Sequence, residues 1–120
     1  FWLAPDSENG EFTVDLLQAE GISRISLQNT NNRGIDDRGT AAFEVFGSLD
    51  NKVFTPLLSG ELPRVSKEDG PVYPFSDFTF ELVETRYVKV VVTRHYQHRG
   101  RPADHPCQGG GLNEIRIFAK

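Results

Sequence analysis

Two stretches of the chain gather residue types able to bind ions or ligands. The first is NTNNRGIDDRGT, Asn29 to Thr40, a polar run between two strand-like segments. Its amide, carboxylate and hydroxyl oxygens suit a hard cation such as calcium, which takes roughly six to eight oxygens. Its glycines let the backbone curl carbonyls inward. Such a loop still needs a carboxylate from elsewhere. The LNEI segment supplies Glu114, which points away from the core if Ile115 and Ile117 face it. A second reading needs no metal: a loop rich in Asx-turns, with Glu114 paired to Arg33 or Arg38.

The second stretch is TRHYQHRGRPADHPCQGGG, Thr93 to Gly111, which gathers Arg94, His95, Tyr96, His98, Arg99, Arg101, His105 and Cys107. Arginine and histidine donate hydrogen bonds to sugar hydroxyls, and an aromatic face stacks on a pyranose ring. Tyr96, or Trp2 from the N-terminal segment, could be that platform. The arginines equally suit an anionic ligand held bidentately. His95, His98, His105 and Cys107 could ligate zinc, although the spacing fits no standard finger. A solvated loop with no specific role is the plain alternative, and Trp2 also fits as a plug at the sandwich mouth. Nucleophilic chemistry has no support: no nucleophile elbow and no phosphate loop before a helix is present. The adjacent Asp36 and Asp37 do not face each other across a bond. The chain reads as no enzyme.

The elements that must position these residues are strands. EFTVDL puts Phe12, Val14 and Leu16 on one face, and ISRISLQ turns Ile25 and Leu27 inward. AAFEVFGS does the same with Phe43 and Val45, and KVFTPLL is a strand that Pro56 keeps near an edge. DFTFELV groups Phe78, Phe80 and Leu82, RYVKVVV groups Val88, Val90 and Val92, and NEIRIFA groups Ile115 and Ile117. SLDNK reads as a hairpin turn, RVSKEDGPVYP as a long loop, and only LLQAEG hints at a helical turn. Tyr73, Phe75 and Phe78, beside Pro71 and Pro74, are expected to cover one end of the fold. Seven or eight short antiparallel strands predict an all-β sandwich or jelly roll.

At 120 residues the chain fits one domain over 1–120. Folding at this size buries roughly 65% of the unfolded surface, enough for one core without staples. A net charge of −4 argues against a general nucleic-acid binder. Cys107 is the single cysteine, so no internal disulfide forms. Opening on Phe1-Trp2 without any methionine predicts a domain excised from a larger protein. No apolar run reaches membrane-spanning length. The tips QAEG and SLDN are largely polar, so membrane insertion is not expected.

GEFTVDL, ISRISLQNTNNRGIDDRGTAAFEVFGSLDN, RYVKVVV and the closing GGGLNEIRIF together resemble the discoidin family, the coagulation-factor type C domains among the galactose-binding-like jelly rolls. The likeness runs from about Phe1 to Phe118. The chain departs from many members in having Glu11-Phe12 where they carry a tryptophan, and in lacking the disulfide of extracellular vertebrate members. The resemblance implies a jelly roll of about eight strands with a structural calcium. In that arrangement Asn29 gives a backbone carbonyl, Asn32 a side-chain oxygen, and Gly34 or Asp37 a further ligand. Thr40 gives carbonyl and hydroxyl, Asn113 a carbonyl, and Glu114 its carboxylate. It further implies a non-catalytic, lectin-like or adhesion module, extracellular or at the cell surface, beside other domains of its parent. The ligand is then a glycan held by end loops through Trp2, His95, Tyr96, His98, Arg99 and Arg101. The alternative is a protein-interaction or scaffolding domain.

Overall fold

The computed structural model describes residues 1–31, 37–65, 73–97 and 108–120. Its strands are β1 (Trp2–Leu3), β2 (Glu11–Gln28), β3 (Thr40–Ser48), β4 (Thr55–Glu61), β5 (Phe75–His95), β6 (Gly111–Leu112) and β7 (Glu114–Ala119). All named pairings are antiparallel: β4-β3-β5-β2-β7 in one order, and β1 with β6 separately. The expected all-β sandwich is what forms.

Two long strands make the two layers. β2 and β5 pair first over Glu11–Asp15 with Val91–Tyr87, then over Glu20–Gln28 with Thr85–Phe75. Between these stretches the register shifts and the ribbon turns a corner. Its first stretch joins β3, which carries β4; its second joins β7. Inward-facing Ile22, Ile25, Leu27, Phe43, Val45, Val88 and Val90 form one core between the layers. Phe43 meets Phe78 edge-on at 5.0 Å, a contact that ties one layer to the other.

The corner departs from two expectations. LLQAEG makes no helical turn, because β2 continues through it with Leu17 at φ +73° as a bulge. Asp15 accepts the Leu17 N–H at 2.8 Å and takes Arg86 bidentately at 2.9 and 3.1 Å, which holds the bulge from both sides. Leu82 does not join Phe78 and Phe80 inside. Arg24 pairs with Thr79 and Ile22 with Val83, so β5 carries extra residues there and the alternation slips. Val83 packs on the core while Leu82 is 51% exposed.

At the corner end Ser48, Asp50 and Asn51 build the β3–β4 turn, with Asn51 at φ +60°. Leu17, Leu49 and Val53 are also exposed at this end, which is more apolar than the polar tips suggested. At the opposite end the described residues 29–31, 37–39, 62–65, 73–74 and 96–97 meet one another. Of the ligand-type residues that are described, Asn29, Asp37, Thr40, His95 and Tyr96 lie at that end.

Candidate functional site

The loop end is braced by buried polar side chains. Asn29 uses its whole amide: Oδ1 accepts from the Thr30 and Thr40 N–H groups at 3.0 and 2.9 Å. Nδ2 donates to the Thr40 and Pro63 carbonyls at 2.8 and 2.9 Å. Thr40 Oγ1 donates to the Gly111 carbonyl at 2.7 Å, so the early loop meets the chain just before β7. Asn113 donates its N–H to the Gln28 carbonyl and its side-chain amide to Gln28 Oε1. The fold thus brings Asn29, Thr40 and the chain leading to Glu114 into one region.

The side chains are used differently from expectation. Glu114 is paired with Arg116 at 3.0 Å, and Arg38 with Asp6 at 2.7 Å, so neither serves the Glu114–Arg38 pair. Arg38 is buried at φ +68°, donates to the Ala4 carbonyl and through its N–H to the Tyr96 carbonyl, and latches the N-terminal segment down. Asn29, Thr30, Asn31, Asp37 and Thr40 are all buried. For a hard cation the described residues offer the Asp37 carboxylate and neutral oxygens around Thr40. Among them no group of three or more His, Cys, Asp or Glu gathers as a metal site. Asn32, Gly34, Arg33 and Asp36 lie outside the described residues.

His95 and Tyr96 sit side by side where β5 ends. His95 Nδ1 faces Asn9 Oδ1, and Nε2 faces Gln108 Oε1 at 3.2 Å. Asn9 Nδ2 donates to the Thr93 carbonyl, which leaves its Oδ1 turned toward His95. The Tyr96 hydroxyl donates to the Leu62 carbonyl at 2.7 Å, and the Arg64 guanidinium lies 4.9 Å from its ring centre. Arg64 also donates to the Gln97 carbonyl. The result is a rim in which the imidazole is held between Asn9 and Gln108, and the phenol by the Leu62 carbonyl with the Arg64 guanidinium over its ring.

Trp2 is placed apart from that rim. It packs on Phe12 at 4.9 Å and lines a lateral cleft with Phe1, Leu112 and Ile115, to which neither His95 nor Tyr96 contributes. It both packs on the core and borders a cleft. His98, Arg99, Arg101, His105 and Cys107 lie outside the described residues. Sequence reasoning missed Asn9, Arg64 and Gln108, because each reaches the rim from a different segment. Only the Asn9-Gly10 turn pair, with Gly10 at φ +88°, left a local mark.

A β-sandwich carrying polar and aromatic residues on loops at one end defines the galactose-binding-like class of module. The profile of the F5/8 type C domain matches residues 1–103. The chain belongs to this family, the discoidin domains. No individual curated protein matches it. Among solved structures it is similar to CpGH89CBM32-5 from Clostridium perfringens, in complex with GalNAc-β-1,3-galactose. The TM-score is 0.66 at 16% identity, over 91% of this chain and 65% of that one. It is also similar to the CBM32 of AlyQ in complex with 4,5-unsaturated mannuronic acid, at TM-score 0.65 and 15% identity, over 94% of this chain and 73% of that one. A third is the C-terminal domain of a chitobiase from Bacteroides fragilis, at TM-score 0.63 and 14% identity, over 92% and 62% respectively. At these identities the likeness is one of fold, and the chain spans less than two thirds of the first and third.

Proposed function

We propose that this domain is a non-catalytic recognition module that binds a glycan through the loop end of the sandwich. The observation that carries the reading is the rim of His95, Tyr96 and Arg64, with His95 oriented by Asn9 and Gln108. Fold relatives solved with sugars support it. In this reading His95 and Arg64 contact hydroxyl groups, and Arg99 and Arg101 add donors from the adjoining stretch. The module then serves a secreted or cell-surface protein and sits beside other domains of its parent. A glycan array followed by titration tests it. Replacing His95 by alanine is expected to weaken binding at least tenfold, as is the Arg99→Ala, Arg101→Ala double variant, with the latter leaving the melting temperature nearly unchanged. Binding that survives both sets of changes would refute the assignment of the loop end.

Calcium belongs to the same reading as a brace for the early loop, not as a reactant. Among the described residues Asn29, Asp37, Thr40, Asn113 and Glu114 would hold it, through the carbonyls of Asn29, Thr40 and Asn113, the Thr40 hydroxyl and the two carboxylates. A divalent cation would supply positive charge to a buried, oxygen-rich loop.

A competing reading, a protein-interaction domain, is favoured by the exposed Leu17, Leu49 and Val53 at the corner end. Leu49 and Val53 line a cleft of about 340 Å³ walled also by Leu57 and Val83. An array without sugar hits, together with partner binding lost on Val53→Asp, would select it.

A further inference from the structure

β7 is the last strand of its sheet. Among the described residues it is hydrogen-bonded to β2 on one side only. Alternate N–H and C=O groups on the other side therefore face away from every described strand, a template for pairing with another chain. Beside its first residues lies the lateral cleft of about 280 Å³, walled by Trp2, Phe12, Leu112 and Ile115, with Phe1 54% exposed at its lip. Ile115 and Ile117 on β7 are only half buried. An added strand would send alternate side chains into that opening, because residues directly opposite in an antiparallel pair share one face.

The edge also carries a charge pattern that reads the same in a partner copy. Glu114, Ile115 and Arg116 are consecutive. Antiparallel pairing of two copies about Ile115 sets Ile115 against its own equivalent. Each Glu114 then falls opposite Arg116 of the second copy. Within one copy the Glu114–Arg116 pair is exposed on both sides, 47% and 53%, so exchanging the two pairs within copies for two across the strands loses little. We propose that β7 is a self-pairing edge, through which two copies of this chain join about a two-fold axis. Ile115 and Ile117 of each then cover the other's aromatic cleft. The pairing closes on itself and leaves no free strand at the junction.

Sedimentation velocity over rising concentration, with and without calcium, tests this. The wild-type chain is expected to move from the mass of one chain toward that of two. Trp2, the sole tryptophan, should shift its emission to the blue as the cleft is covered. Glu114→Arg alone and Arg116→Glu alone each place like charges opposite one another and should remain single. An equimolar mixture of these two variants should dimerise, because every opposed pair is then complementary, and so should the double charge-swap chain. Recovery in the mixture also demonstrates that both single variants are folded. A wild-type chain that stays single into the millimolar range overturns the proposal. Single variants that dimerise as wild type, or a mixture that fails to dimerise, overturn it equally.

Discussion

Replacing Asn29 by alanine is the sharpest test of how the loop end is held. Asn29 is 2% exposed and Thr40 is fully buried, and three of the four bonds of its amide reach across the fold, to Thr40 N, Thr40 O and Pro63 O. A buried hydrogen bond contributes about 1 kcal/mol net, and a buried group left without a partner costs about 1–3 kcal/mol. The Thr40 N–H and carbonyl lose their Asn29 partners together, and these two ways of counting overlap. The expected loss is therefore about 3–4 kcal/mol. For a domain of this size that lowers the melting temperature by roughly 10–15 °C. Asn29→Asp keeps the shape and the acceptors but points a second oxygen at two carbonyls, so it should destabilise at least as much. Urea unfolding with an unchanged slope, followed by calorimetry, measures both. A loss below about 1 kcal/mol for Asn29→Ala would mean that the loop is held by something other than this amide.

Leu82→Glu should change stability by no more than about 0.5 kcal/mol, because the slip in β5 leaves Leu82 outside; a loss above about 2 kcal/mol would restore unbroken alternation. Arg86 holds the Asp15 carboxyl below its ordinary 3.8, and the backbone N–H groups of Val53 and Lys52 do the same for Asp50. Both contributions to stability are present above that ordinary value and are lost as pH falls through the lower folded value. Carboxyl NMR titration should place both midpoints below 3.8, and an ordinary midpoint for Asp50 would contradict the turn geometry. Excess EDTA should lower the melting temperature by several degrees if calcium braces Asn29–Thr40, since a ligand bound only by the folded state stabilises it. An unchanged melt would leave the loop held by hydrogen bonds and ion pairs such as those of Asn29, Arg38 and Thr40, without the ion.

Period-two alternation by itself determined the strands and their inward faces. Ile25, Leu27, Phe43, Val45, Val88 and Val90 are buried as their spacing requires, and Pro56 does lie in the edge strand β4. The order of these segments, with the polar runs between them, also marked the family. Tertiary structure decided what alternation cannot encode. Bulges depend on which strand lies opposite, so Leu82 turned outward and the helical reading of LLQAEG gave way to a corner. Hydrogen-bond partners are chosen by proximity across the fold, so Glu114 went to Arg116, and Asn29 spent its amide on Thr40 and Pro63. Trp2 went to Phe12 for the same reason, and Arg64, Asn9 and Gln108 reached the rim from three separate segments. A side chain's type is written in the sequence, but its neighbours are set only when the two layers close.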